Sequence, residues 1–140
     1  MIPISDINPA RNTPVISRIF MFVTVGVFIL IQPKNQIELF NFFYQYSAIP
    51  CELVNFSPIS EAQFYNNNCF YTQTNSIFPN KNIILSMVFA NFFHANFIHI
   101  LGNLWSFWIF GNNVEDKLGK SKFTIFLIFI GIISLSLIHI

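Results

Sequence analysis

An uncharged stretch from Asn82 to Val114 limits what this chain can fold into more than any other feature of its sequence. It contains no Asp, Glu, Lys or Arg, and most of its residues are apolar. About 20 consecutive, mainly apolar residues in a helix are enough to cross the hydrocarbon core of a bilayer. The stretch therefore predicts a membrane helix over residues 96–111, preceded by a half-embedded segment over residues 83–93.

The overall composition also favours a membrane. Of the 140 residues, 54% are hydrophobic and only 9% are charged, whereas soluble domains contain about 25% charged residues. Such a chain has too little polar surface to stay in water. Its formal net charge is +1 and its basic residues are scattered along the chain, so nothing favours binding to nucleic acid.

Two further apolar runs predict spanning helices on either side of the uncharged stretch. The first covers residues 15–32 and has Arg18 near its start, where a long side chain can carry its charge to the headgroups. A secretory signal peptide is the competing interpretation, but no small-residue cleavage site follows the run. The last run covers residues 123–139, after a compact polar turn at residues 111–122. The sequence thus predicts an all-α integral membrane protein with three transmembrane helices.

A long connection, residues 33–95, separates the first two predicted spans. It is too long for an ordinary loop between packed helices, so we expect it to be a structured first loop. Residues 37–44 suit a short interfacial helix, which Pro50 should end. Residues 61–82 are rich in Asn, Gln, Thr and Tyr and should be the least ordered part of the chain.

The basic residues set the expected orientation, because Lys and Arg are enriched on the cytoplasmic side of a membrane. This makes the tail, residues 1–14, extended, exposed and cytoplasmic, and it places the long loop on the outer side. There Cys51 and Cys69 could form a disulfide, and two free thiols are the alternative. The basic residues near the tail and the polar turn are Arg11, Arg18, Lys117, Lys120 and Lys122.

Three polar side chains in the uncharged stretch are candidates for a functional site: His94, His99 and Asn103. A helix turns about 100° per residue, so His99 and Asn103 lie within about 40° of each other on one face. Polar groups at membrane depth are costly unless they face protein or a water-filled cavity. Hydrogen bonding between helices is the structural alternative, because Gly102 and Ser106 form a small-xxx-small pair that allows close helix packing.

Metal binding by His94, His99 and His139 is a weaker alternative. His94 and His99 would be about 140° apart on one helix, and no Cys or carboxylate lies beside them. We therefore expect no metal and no cofactor.

The H-x4-H-x3-N spacing of His94, His99 and Asn103 is followed by Phe110-Gly-Asn-Asn-Val-Glu-Asp-Lys-Leu-Gly119. Together these two motifs resemble the rhomboid intramembrane serine proteases. The resemblance implies that residues 15–140 form a partial rhomboid membrane domain, whose three spans correspond to the first half of a six-helix bundle. Two shorter stretches are similar to the family's lead-in and to the start of its first loop, Asp6-Ile-Asn-Pro-Ala-Arg-Asn-Thr-Pro14 and Tyr46-Ser-Ala-Ile-Pro50.

The resemblance implies cleavage of transmembrane protein substrates by a Ser/His dyad. The family's nucleophile, in a G-x-S-G turn on the fourth helix, and its base, on the sixth, are not present in this sequence. We expect the chain to be the front part of a longer protein, inactive alone, with the bilayer, transmembrane substrates and a missing carboxy-terminal half as partners. A non-catalytic rhomboid-like protein that binds transmembrane segments is the alternative.

Four serines in apolar runs are predicted to be helix-packing hydroxyls: Ser86, Ser106, Ser134 and Ser136.

Carried over from the family, His99 and Asn103 would stabilise the oxyanion, and His94 would sit beside them at the mouth of the site. The Asn amide and the His ring both offer N–H donors, and one positioned donor lowers the barrier to acyl transfer by about 3 to 4 kcal/mol. The resemblance to bacterial members implies a multi-pass protein of the inner (plasma) membrane. The residues implied to shape the inner turn are Gly111, Glu115 and Gly119.

Overall fold

The chain folds into α-helices in a computed structural model that describes residues 10–66, 68–70 and 75–137. Within these ranges the only extended pairing is an isolated antiparallel bridge between Ser60 and Ser76, so the all-α prediction is confirmed. The helices are α1 (Val15–Gly26, continued by a π-helical segment Val27–Ile31), α2 (Gln36–Tyr46), α3 (Pro50–Asn55), α4 (Glu61–Asn66), α5 (Ile83–Phe89, continued by a 3₁₀ turn Ala90–Phe92), α6 (Phe97–Leu118) and α7 (Lys120–Leu137).

No single helix among the described residues is both long and apolar enough to cross a membrane by itself. The segments Ile83–Phe92 and Phe97–Leu118 meet both requirements only as a pair with a break between them, judged by length and composition. The count of three spans therefore stays a prediction.

The contacts divide the chain into two units, and the first contains α1, α6 and most of α7. Its core is built on the ring of Phe107, which packs against Phe20 of α1 and Phe123 of α7 at centroid distances of 5.0 and 6.2 Å. Gly111 is buried beside it, where an added Cβ would lie 3.2 Å from the Phe107 ring and 3.4 Å from Ser17 Oγ. An alanine there would require the Phe107 ring to shift by a few tenths of an ångström, whereas its distance to Ser17 on α1 would be an ordinary van der Waals contact.

The polar turn predicted at residues 111–122 is far shorter in the structure. Helix α6 continues through the polar residues to Leu118, and α7 begins at Lys120. Only Gly119 lies between them, with a φ of 77° that favours glycine. The prediction was wrong because it ended the helix at residue 111, whereas the helix continues through Glu115 and Asp116, which bind the chain before and at the start of α1.

The second unit contains the long first loop and the end of α7. A buried ion pair between Glu52 and Lys81 lies within it, with Lys81 Nζ 2.5 Å from a Glu52 oxygen. The other Glu52 oxygen accepts a hydrogen bond of 3.0 Å from the N–H of Ile59, and Lys81 Nζ donates to the carbonyl of Tyr44 at 2.8 Å. These contacts tie α2, α3 and the segment before α5 together.

Two details of this loop differ from the prediction. Pro50 does not end the helix predicted at residues 37–44, because that helix already ends at Tyr46. Pro50 is instead the first residue of α3, a position where the backbone N–H that proline lacks has no helical partner. The Asn-rich excursion is also helical over Glu61–Asn66. Cys69, which follows this helix, forms a disulfide with Cys51, and this decides between the two alternatives left open by the sequence.

Removing this disulfide should destabilise the second unit by about 3 kcal/mol, the chain-entropy value for a closed loop of this length. We expect the double variant Cys51→Ser, Cys69→Ser to show the loss in chemical unfolding in detergent. A reductant should have the same effect on the parent chain and none on the variant. Equal stability of the two chains under oxidising conditions would contradict the prediction.

Candidate functional site

The start of α6 positions the candidate site. The side chain of Asn96 accepts a hydrogen bond of 2.9 Å from the N–H of His99, which is the N-cap arrangement that fixes where a helix begins. Helix α6 therefore starts at Phe97. His99 then lies in its first turn, and Asn103 follows one turn later on the same face.

His94 meets both of these residues. The Nδ2 atom of Asn103 lies 3.0 Å from Nε2 of His94, and the rings of His94 and His99 pack edge to face with centroids 5.3 Å apart. A carboxamide nitrogen can only donate, so His94 Nε2 is the acceptor of this hydrogen bond. The structure thus brings together all three polar residues singled out in the sequence.

The position of His94 corrects one step of the sequence reasoning. On one continuous helix, His94 and His99 would lie about 140° apart, as expected from the sequence. Residues 93–96 are not helical, so the chain bends back there and His94 approaches Asn103 from outside α6. The signal in the sequence was Asn96, a residue type that commonly caps a helix start.

The site differs in exposure from one residue to the next. His94 is buried, with 4% of its surface exposed, whereas His99 and Asn103 are exposed. Asn103 Nδ2 carries two hydrogens, and its bond to His94 occupies one of them. The second hydrogen on Asn103 Nδ2 and a ring N–H of His99 could each donate a hydrogen bond to an anionic oxygen.

The small-xxx-small pair on α6 is also exposed. Gly102 and Ser106 lie at the surface, and a Cβ added to Gly102 would meet no atom within 4 Å. Among the described residues, then, no helix packs closely against Gly102.

At the other end of α6, Glu115 holds the start of α1. Its carboxylate accepts hydrogen bonds from the N–H of Ile16 at 3.0 Å and from the N–H and hydroxyl of Ser17, both at 2.8 Å. The residue before α1 is Pro14, which makes no side-chain cap of its own. Glu115 therefore supplies from a distant helix the acceptors that an N-cap residue normally provides.

Asp116 extends this contact to the lead-in. Its oxygens accept from the N–H of Arg11 at 3.2 Å and from the N–H and amide of Asn12 at 3.0 and 2.6 Å. Arg11 and Asn12, in the predicted tail, are exposed and are at the same time hydrogen-bonded to Asp116, while residues 1–9 lie outside the described ranges.

These hydrogen bonds shift both carboxyl groups, which lie beyond the span predicted at residues 96–111. Burial would raise the pKa of Glu115, but the donors of Ser17 and Ile16 together outweigh it, so that the pKa lies below its usual value. The pKa of Asp116 is lowered by the N–H of Arg11 and the side chain of Asn12. Both groups are therefore charged at neutral pH.

Residues 81–140 match the family model of the rhomboid domain. The match covers 60 of the 140 residues and shows that this part of the chain is similar to a rhomboid domain. Every site residue predicted from the sequence, from His94 to Gly119, lies inside the matched rhomboid segment. No curated protein and no solved structure matches the chain.

Other candidate groups of the matched segment also have defined positions. The hydroxyl of Ser86 is buried and donates to the carbonyl of Ile83 at 2.7 Å, which suits the predicted helix-packing role. The side chains of Ser134 and Ser136, and all of His139, lie outside the described residues. Among the residues that are described, no three His, Cys, Asp or Glu side chains are grouped as a metal site would require.

Proposed function

We propose that this chain is the amino-terminal part of a rhomboid-type intramembrane serine endopeptidase and carries the oxyanion-stabilising side of its active site. The observation that supports this most strongly is the hydrogen bond between Asn103 and the buried His94. It orients an exposed amide on the face that also carries His99. A donor held in place before the reaction is what stabilises the charge of a tetrahedral intermediate.

In this proposal His99 and Asn103 would contact the oxyanion, and His94 is a positioning residue. Attack on a peptide carbonyl places negative charge on its oxygen, and a fixed N–H donor lowers the energy of that charged state more than that of the neutral carbonyl. Turning the amide of Asn103 away from the reacting oxygen would cost its bond to His94. The donor is thus oriented before substrate binds.

The proposal also includes the membrane setting. The three spans would cover residues 15–32, 96–111 and 123–139, as predicted from the sequence, with Glu115 and Asp116 beyond the second span. The tail would lie in the cytoplasm and the first loop outside. Two observations support this orientation: most basic residues lie near the tail and the α6–α7 junction, and the first loop contains a disulfide, a bond typical of oxidising compartments outside the cytoplasm.

A complementation experiment tests the function. We expect the 140-residue chain alone to cleave no transmembrane substrate in detergent or liposomes, because no G-x-S-G motif occurs in it. Joined to the carboxy-terminal helices of a rhomboid that carry the Ser/His dyad, it should become active. The control is the same fusion with the nucleophilic serine changed to alanine.

Two results would contradict the proposal. One is cleavage by the chain alone that a substitution in this chain, such as Ser86→Ala, abolishes. The other is a folded, inserted fusion that cleaves no substrate with any of several rhomboid second halves.

The second candidate is a non-catalytic rhomboid-like protein that binds transmembrane segments. The specific observation in its favour is the open surface at Gly102, where an added Cβ would meet no described atom within 4 Å. It predicts crosslinking of a transmembrane peptide to this face without cleavage, and a reduction of crosslinking when Gly102 is replaced by valine.

A further inference from the structure

A second feature of the first unit is a groove between α1 and α6. It encloses about 630 Å³. From α1 it is lined by Arg18, Phe22 and Val25, which recur at the spacing of one helical face. The wall of the groove on α1 is therefore a continuous stripe of side chains, and the groove is not a gap left by one small residue.

The wall on α6 has the same character. Leu101, Trp105 and Trp108 recur there at the same helical spacing. Trp105 and Trp108 keep 46% and 65% of their surface exposed. They are the two tryptophans of the whole chain, and both lie on this one groove.

The groove has a charged end and an apolar end. Ser17 and Glu115 are in contact, as are Phe20 and Phe107, so the start of α1 lies beside the end of α6. This places Arg18 at the same end of the groove as Trp108, with Val25 and Leu101 toward the other end. Arg18 is exposed and is the one charged residue of the lining.

The groove lies apart from the candidate active site. At about 100° per residue, Leu101, Trp105 and Trp108 point about 140° to 160° away from Asn103 around α6. A helix or substrate bound on the face of His99 and Asn103 would therefore leave this groove open.

We propose that the groove binds an anionic phospholipid, with its phosphate on Arg18 and an acyl chain along the apolar stripe. A guanidinium pairs with a phosphate through two parallel N–H···O bonds, and tryptophan favours the level of the headgroups. The single charge at one end of a long apolar groove matches a ligand with one anionic end and a hydrocarbon tail. The inference rests on the membrane setting of the proposed function.

The two tryptophans make the groove directly observable. The full 140-residue chain is reconstituted in phosphatidylcholine vesicles in which a small fraction of the lipid is brominated phosphatidylglycerol or, in parallel, brominated phosphatidylcholine. Bromine quenches tryptophan only in contact range. We expect the brominated anionic lipid to be about fivefold more effective at equal mole fraction, as one Lys or Arg near the surface is worth about that factor for an anionic lipid.

Two variants of equal charge separate a site from general attraction. Arg18→Gln should remove the preference while quenching by brominated phosphatidylcholine stays unchanged. Lys122→Gln removes one positive charge from the start of α7, outside the groove lining, and should leave the preference intact.

Three results would overturn the inference: equal quenching by the two lipids, a preference that survives Arg18→Gln, or no quenching by either lipid in a chain that resists alkaline extraction. The last would show that protein covers the groove. A chain that alkali extracts would overturn the membrane setting as well. Loss of lipid preference in an inserted chain would leave the proposed protease function standing, because that function is tested by cleavage.

Discussion

Replacing Asn103 by alanine should lower the turnover of the fusion with a rhomboid carboxy-terminal half by about ten- to a thousandfold, the range expected for the loss of one oxyanion donor. The substitution removes an amide that His94 holds on the exposed face of α6. It also leaves Nε2 of the buried His94 without this donor, which costs about 1 to 3 kcal/mol of stability. Turnover must therefore be expressed per folded molecule.

The same face provides a matched control. Gly102→Ala adds a methyl group that meets no described atom and removes no donor. It should therefore change little in the turnover of the fusion protein or in the melting temperature of the 140-residue chain. His94→Ala should lower turnover less than Asn103→Ala. The Asn103 amide is still present in this variant, but its orientation is no longer fixed by His94. In a positioning role, its loss should appear in kcat and not in KM.

The measurements are kcat, KM and melting temperature on the same preparations of the fusion protein. An Asn103→Ala enzyme with unchanged turnover per folded molecule would rule out the oxyanion role. A fall in rate that follows the loss of folded protein in every variant would instead favour hydrogen bonding between helices as the function of this face.

Replacing Glu115 by alanine should destabilise the first unit by about 2 to 4 kcal/mol. The substitution removes a buried acceptor from the N–H groups of Ile16 and Ser17 and from the Ser17 hydroxyl. Hydrogen bonds to a charged group contribute about 1.5 to 3 kcal/mol each, and donors left unpaired add to the cost. Helix α1 would lose the acceptors that replace its missing N-cap.

Unfolding in detergent measures this loss, and two substitutions calibrate it. Ser17→Ala removes only the hydroxyl bond and should cost about 1 kcal/mol. Asp116→Ala removes the contact to Arg11 and Asn12 on the exposed side and should have a clearly smaller effect than Glu115→Ala. Equal effects at the two positions would contradict the assignment of Glu115 as the cap of α1.

Acidification should destabilise the parent chain through the same group. Because the pKa of Glu115 is lower in the folded chain than its usual value, its contribution to stability is complete above the unfolded carboxyl pKa and is lost as the pH falls through the folded pKa. We expect this loss below about pH 4. In Glu115→Gln the loss should be smaller, since the amide does not titrate, and an identical acid response of both chains would argue against this source.

The sequence by itself determined the helical class, the start of α6 and the family resemblance. These depend on local signals. Each of these signals extends over only a few helical turns: an apolar run, an Asn at a helix start and a fixed spacing of polar residues. The position of His99 and Asn103 on one face follows from helix geometry alone.

Only the tertiary structure decided what those residues contact. The bond of His94 to Asn103 depends on a break in the helix at residues 93–96, and the Cys51–Cys69 disulfide depends on how the first loop folds. Glu115 and Ser17 are 98 residues apart in the chain. The sequence predicts the Glu115 carboxylate as part of a polar turn, and it becomes a helix cap only because packing places unpaired N–H groups beside it. The free energy of a buried hydrogen bond depends on the partner in space and not on the neighbours in sequence.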